Sequence, residues 1–344
     1  MMNSIVGRFA RLLSVSATAS ALSIAATQSS AEELALSAWL PPAHPVVNEI
    51  VKPWAEEVGK VTEGRVTVRI LPRPLGPPPA HFDLAIDGIA DITFGLHSFT
   101  TDNRFLRSRI GQFSFLGENA ESLSEAYWNV YTGELEADKE HQGAKLLSLW
   151  VHGPGLFHNN QREIKTPEDF AGLKIRTPGG YIAELVSELG ATTQFMGPGQ
   201  VFEKLSTGVI DGVTFPGEAI RAFNLSDHLT HTMRIPGGIY NTSWFLVMNE
   251  DKWNDISDAD KAAIEAISGA TLAAVAGSVW DKADQRGWDV INESDMQVYD
   301  ASPEVVAGIK AIADAKEADW SKALADQGYD GTAALASIRA QAAE

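Results

Sequence analysis

Among the charged side chains of this sequence, Arg176 has the setting most suggestive of chemistry. It closes the run Thr166-Pro-Glu-Asp-Phe-Ala-Gly-Leu-Lys-Ile-Arg176 and precedes Pro178, Gly179 and Gly180. Thr166 is placed to cap a helical turn, Pro167 to open it, and Glu168 and Asp169 to sit in its first turn, where acids complement free N–H groups. Gly172 ends the turn, and Leu173 and Ile175 are apolar strand positions. Arg176 therefore falls at the C-terminal end of a strand, just before another helix, which is where ligands sit in open α/β sheets. A guanidinium there offers a planar fork that matches a carboxylate, and a helix N-terminus adds backbone donors. An arginine held in an internal ion pair fits the same pattern, so spacing alone leaves both uses open.

Local marks of catalysis are missing. The nucleophile elbow G-x-S-x-G, the zinc motif H-E-x-x-H and the phosphate loop G-x-x-x-x-G-K-[ST] do not occur. The chain has no cysteine, which removes thiol nucleophiles and thiolate metal sites. His228 and His231 lie three apart and read as surface residues near a loop rather than metal ligands, and Gly153-Pro154-Gly155 is a tight turn without a dinucleotide fingerprint. An enzyme would have to bring His152 or His158, as general base, together with a carboxylate such as Glu218 by folding alone. The expectation is a chain that is not an enzyme and uses no cofactor or metal.

The elements that would position Arg176 begin after an export signal. Arg8 and Arg11 precede an uncharged stretch from Leu12 to Ala26, and Ser29 and Ala31 are small residues suited to cleavage, so residues 1–31 read as a secretory signal peptide. Its removal leaves 313 of 344 residues, enough for two lobes, and shifts the net charge from −18 to −20. So acidic a surface disfavours nucleic acid and anionic lipid. Periodicity predicts strands at 34–40, 66–70, 90–94, 145–150, 173–176, 213–215 and 243–248, with 192–196 extended. Helices are predicted at 46–61, 84–88, 120–138, 181–189 and 201–206. A long helical run from Asp258 to about Asn292 follows, then one or two helices over 303–343. The alternation implies an α/β fold with parallel strands and helical crossovers.

The order and spacing of several segments resemble the solute-binding proteins of tripartite ATP-independent periplasmic (TRAP) transporters, the C4-dicarboxylate-binding family. The segments are Gly64-Arg-Val66, Leu75-Gly76, Gly88-Ile-Ala-Asp91, Gly172-Leu-Lys-Ile-Arg176, Leu205-Ser-Thr-Gly-Val-Ile-Asp-Gly212 and the long helix after Met248-Asn-Glu-Asp-Lys-Trp253. The resemblance implies a periplasmic, two-lobed binding protein of the Venus-flytrap type, with a long helix spanning both lobes and a cleft that closes on a small organic acid. It implies lobes built from 32–153 with about 241–280, and from about 154–240 with 281–344. It further implies that Arg176 pairs with the ligand carboxylate and that a small and a large membrane subunit receive the ligand.

Two departures bear on the ligand. Many members carry an asparagine where Phe215 precedes Pro216, and sialic-acid-type members have a second arginine near the position of Leu156, beside Trp150, His152 and His158. Trp39, Phe94, His97, Phe215 and Trp244 fall at strand ends or in adjoining loops expected to face the cleft. Together with Arg176, His152, His158 and Glu218 they form the expected ligand-binding set. They favour a monocarboxylate with an apolar or aromatic body over a dicarboxylate, with a cationic head group held by aromatic faces as the alternative.

Overall fold

The apolar runs of this chain assemble into two separate sheets, as seen in a computed structural model that describes residues 31–100 and 102–343. The expected signal peptide, apart from Ala31, lies outside the described residues. The strands are β1 (Glu32–Ser37), β2 (Val66–Ile70), β3 (Ile92–Leu96), β4 (Ala144–Val151), β5 (Leu156–Asn159), β6 (Lys174–Thr177), β7 (Thr192–Phe195), β8 (Gly212–Phe215), β9 (His231–Arg234), β10 (Ser243–Asn249) and β11 (Gln297–Asp300). The helices are α1 (Lys52–Val61), α2 (His81–Ile86), α3 (Ala120–Gly133), α4 (Gly180–Glu188), α5 (Val201–Ser206), α6 (Gly217–Ala222), α7 (Glu250–Asp255), α8 (Asp258–Ala266), α9 (Gly269–Glu293), α10 (Pro303–Ala325) and α11 (Gly331–Ala342).

The first sheet has the order β2-β1-β3-β10-β4 and the second β11-β9-β5-β8-β6-β7. The wholly parallel arrangement expected from the sequence does not hold: β10 runs antiparallel to β3 and β4, and β5 antiparallel to β8 and β9. The reason is the route of the chain. It leaves the first sheet at the end of β4 and enters the second at the start of β5 through Gly153-Pro154-Gly155. It then returns from β9 to the start of β10. A strand entered from the cleft runs away from it, whereas β4, β6 and β8 run toward it. The registers agree: Ser243 at the start of β10 pairs with Val151 at the end of β4, and Leu156 at the start of β5 pairs with Phe215 at the end of β8. β3 and β10 are buried along their whole length, which is why apolar residues predominate in both and Trp244–Met248 reads as an apolar run rather than an alternation.

The long helical run is broken once. Ser268 is extended and Gly269 has φ +56°, so α8 ends and α9 restarts at a new angle. Two distant side chains anchor the break: Ser148 Oγ donates to the Gly269 carbonyl, and Trp54 Nε1 donates to Ser268 Oγ. Beyond the break α9 crosses from one sheet's helices to the other's at two glycines. A Cβ on Gly277 would lie 2.5 Å from the carbonyl oxygen of Ala120 at the start of α3, and one on Gly287 2.1 Å from that of Gly217 in α6. Neither contact tolerates a side chain.

At the α6 crossing Asp284 Oδ1 accepts the Glu218 backbone N–H at 2.8 Å, and both carboxyls are buried. Burial, with each carboxyl near another, pushes Glu218 up to about 8 and Asp284 up to about 7. His44 Nε2 lies 3.2 Å from Glu218 Oε1, but burial drives that imidazole down to about 3, so it supplies no positive charge at neutral pH. Glu218 and His44 are thus neutral at neutral pH.

Two outcomes follow from this packing. Gly287→Ala should destabilise the fold by about 1–3 kcal/mol in urea unfolding, because backbone must move. Gly59→Ala, in α1 with nothing within 4 Å of the added carbon, should stabilise it by about 0.5–1 kcal/mol. The second outcome concerns pH. Glu218 is protonated in the folded chain where the unfolded side chain has ionised, so its contribution is full below its ordinary value of 4.5 and is lost as pH rises toward about 8. The buried histidines act oppositely below about pH 6.5, so the difference between variants isolates the group. Thermal unfolding of Glu218→Gln should gain on the wild type steadily from pH 5 to pH 8, and a constant difference would refute a neutral Glu218.

Candidate functional site

Arg176 is carried by β6, whose start is set by the predicted local grammar. Thr166 and Asp169 form a reciprocal capping box on a single helical turn, and Leu173 is buried behind it. The arginine is 1 % exposed. Its Nε donates to the Met196 carbonyl at 3.0 Å, one terminal nitrogen donates to the Thr214 carbonyl at 3.3 Å, and the guanidinium stacks 4.1 Å over the Phe215 ring. A guanidinium has five N–H donors, so most remain for another partner. No carboxylate pairs with it among the described residues. Burial lowers its pKa only to about 10, so it stays charged at neutral pH.

This group faces a small cavity of about 40 Å³ between the cleft ends of the two sheets, which must widen to admit a small organic ligand. Trp39 lies just beyond β1, His152 just beyond β4 and Trp244 on β10, while Phe215 ends β8 and Glu218 opens α6; all five line the cavity with Arg176. Trp39 stacks parallel to Trp244 at 5.8 Å, and Trp244 stacks in turn on Trp150 at 6.2 Å. The first sheet thus presents an aromatic wall opposite the arginine and Phe215 of the second.

Three of the expected site residues do not line this cavity. Phe94 is buried in the core and reaches the site only through its carbonyl, which accepts from Trp39 Nε1 at 3.0 Å. His97 turns away from the cavity: its Nδ1 meets Ser243 at 3.1 Å and its Nε2 meets His141 at 2.9 Å, inside a cluster with Phe82, Phe105 and Phe245. His158 spends both nitrogens across the second sheet, on the Thr232 hydroxyl at 2.9 Å and the Phe215 carbonyl at 3.3 Å. In each case position at a strand end was readable, but the strand face was not.

Other lining residues were missed by sequence reading. His44 comes from the Pro41-Pro42-Ala43-His44-Pro45 loop, Trp280 from the middle of α9, and Tyr240 and Thr242 from the return crossover. A tryptophan in an alanine-rich helix was the one available signal. The cavity also concentrates unpartnered polar atoms. His152 Nε2, Thr242 Oγ1, Glu218 Oε1 and the indole nitrogens of Trp244 and Trp280 are buried without hydrogen-bond partners. Buried polar groups are nearly always satisfied, so their gathering in one cavity marks it as a place built to receive polar atoms.

Comparisons with known proteins agree with this architecture. Residues 36–325 match the family described as bacterial extracellular solute-binding protein, family 7. A TRAP periplasmic solute-binding protein of Bordetella bronchiseptica, solved with bound (R)- and (S)-mandelate, is 37 % identical; the match covers 90 % of this chain and 98 % of that one, with a TM-score of 0.87. A TRAP solute-binding protein of Rhodoferax ferrireducens in complex with copurified benzoate is 27 % identical, covering 90 % and 97 %, with a TM-score of 0.82. One from a marine metagenome, specific for aromatic acid ligands and crystallised with 3-hydroxybenzoate, is 29 % identical, covering 91 % and 99 %, with a TM-score of 0.82. A fold of two α/β sheets around a cleft, a helix crossing both, and a family match over most of the chain converge, and the chain belongs to the family 7 extracellular solute-binding proteins, which serve TRAP transporters outside the cytoplasm by carrying small organic acids to their membrane subunits.

Proposed function

We propose that this solute-binding protein takes an aromatic monocarboxylate, whose carboxylate pairs with Arg176 and whose ring lies between Phe215 and the Trp39–Trp244 wall. The observation that carries this reading is a buried guanidinium with no protein counter-anion among the described residues, facing a cavity walled by aromatic rings. The ligands of the Bordetella, Rhodoferax and metagenome relatives are of that chemistry. A dicarboxylate would bring a second charge to a cavity in which Arg176 is the one cationic side chain, since His44 and His152 are neutral at pH 7. A cationic head group would need an anion, and burial keeps Glu218 protonated at that pH.

The division into lobes follows from the same reading. Residues 32–153 with about 241–280 carry the first sheet, and about 154–240 with 281–344 carry the second, so hinge closure would bring Trp39 toward Arg176. The chain acts as a carrier and not as an enzyme: burial makes His152 a weak base, lowered to about 4, and keeps Glu218 protonated at pH 7, raised to about 8, so neither is poised to take a proton from a substrate.

Isothermal titration with benzoate, mandelate, succinate and glucuronate tests the assignment. The two aromatic acids should bind and the dicarboxylate and sugar acid should not. Arg176→Ala should weaken binding by about 30-fold or more, as expected for loss of one partner of a buried charged contact, and full affinity in that variant would sink the carboxylate clamp. Trp39→Ala should weaken the aromatic acids through lost ring contact, by about tenfold. Mandelate recovered unchanged after prolonged incubation is the expected outcome of the carrier reading.

A further inference from the structure

The aromatic-acid reading leaves His152 without a role, and its protonation state is fixed by its surroundings. Nδ1 contacts the Gly153 carbonyl, which can only accept, so the proton of the imidazole sits on Nδ1. The Asn241 amide end lies 2.6 and 3.0 Å from the carbonyls of His152 and Gly153, which only accept, so hydrogen-bond chemistry assigns its nitrogen to that side. The side chain is 3 % exposed and burial keeps the ring neutral. Nε2 therefore carries a lone pair, is buried, belongs to a residue that lines the cavity and has no hydrogen-bond donor among the described residues. A carboxylate cannot satisfy it, because a carboxylate only accepts. Nor can a bare aromatic ring.

We infer that His152 Nε2 is a recognition point for a ligand hydroxyl, so that this protein selects hydroxylated aromatic monocarboxylates over their unsubstituted counterparts. The inference rests on the reading in which Arg176 takes the carboxylate. A hydroxyl suits the surroundings because it donates and accepts at once. Its hydrogen satisfies Nε2, and its oxygen is available to the unpartnered indole N–H of Trp280, whose ring lies 5.8 Å from that of His152. His152 also lies 5.2 Å, ring to ring, from Tyr240, and Tyr240 lies close enough to Arg176 to act on its charge; the hydroxyl and carboxylate points therefore flank one aromatic side chain. The hydroxyl can sit on the carbon beside the carboxylate or on the ring, and matched ligand pairs separate the two.

The experiment is titration of wild-type protein with mandelate against phenylacetate and with 3-hydroxybenzoate against benzoate, repeated in His152→Leu. In the wild type at least one hydroxylated acid should bind about 10- to 100-fold more tightly than its partner, because the partner leaves Nε2 unsatisfied. The pair that shows the gain locates the hydroxyl. In His152→Leu that gain should vanish, so that the two members of each pair bind alike. An α-methoxy analogue of mandelate, which accepts but cannot donate, should lose the advantage. Nitrogen NMR of wild-type imidazoles supplies a readout independent of the variant's folding: the Nε2 resonance of His152 should have the position of an unprotonated nitrogen and shift upfield only with the hydroxylated acid. Equal affinities within both wild-type pairs, a gain that survives in His152→Leu, or an Nε2 that carries the proton would overturn the hydroxyl assignment while leaving Arg176 and the aromatic walls untouched. Failure of all four acids to bind would instead overturn the aromatic-acid reading and this inference with it.

Discussion

A charged guanidinium buried between two carbonyl oxygens and a phenylalanine ring, with no carboxylate beside it, is the constraint around which this molecule is arranged. Removing such an ion from water costs several kcal/mol even after relaxation. The carbonyls of Met196 and Thr214 and the face of Phe215 recover part of that cost through hydrogen bonds and cation–π attraction. In the proposed reading the remainder is left for a ligand carboxylate that enters the cavity. In a chain of net charge −18 such an anion is not drawn in by the general field. It is held locally, by one group whose other interactions are already made and whose orientation is fixed before the ligand arrives.

That fixed orientation depends on how the chain divides itself. Arg176 and Phe215 end adjacent strands of one sheet, while Trp39 and Trp244 sit at the facing ends of strands in the other. Strands that run toward a cleft deliver their C-terminal ends to it, and the two strands entered from the cleft, β5 and β10, close the gaps between them. The crossovers are tight where they must be. A side chain on Gly155 would meet the Tyr240 ring at 2.3 Å, and one on Gly153 would meet Asp284 at 2.1 Å. The helix α9 then ties both halves from behind through the bare backbones of Gly277 and Gly287. Small residues at these crossings leave the large ones to line the cavity.

Much of the scaffold and the arginine were legible because they obey local grammar. A cap, a proline at the first helical position, an alternating pair of apolar residues and a Pro-Gly-Gly exit are enough to place Arg176 at a strand end. The strand directions of β5 and β10 were not legible, since hydrophobic periodicity is the same whichever way a strand runs. The break was marked in the sequence only by the Ser268-Gly269 pair inside an otherwise helix-forming run, and the side chains that anchor it, Trp54 and Ser148, are more than a hundred positions away. The histidines show the limit most clearly. His97 and His158 had the same sequence credentials as His152, yet His97 is turned inward by His141 and Ser243 and His158 by Thr232 and Phe215. Which face of a strand end a side chain takes is decided by partners that the local sequence does not contain.

The remaining polar groups of the cavity explain why one cation suffices. Burial and the neighbouring Asp284 keep Glu218 protonated at pH 7, and His44 and His152 are too desolvated to gain a proton there, so these three are neutral. A neutral polar rim does not compete with the ligand for Arg176, as an ionised Glu218 would. It also does not repel a carboxylate on its way in. The ligand's charge then meets its partner in a space walled by rings from both sheets, where exclusion of water strengthens the attraction. Because one half of the molecule supplies the cation and the other the stacked tryptophans, neither half alone satisfies the ligand. On the proposed reading binding is therefore strongest when the two walls approach, and the energy that recognises the aromatic acid is the same energy that favours the closed arrangement.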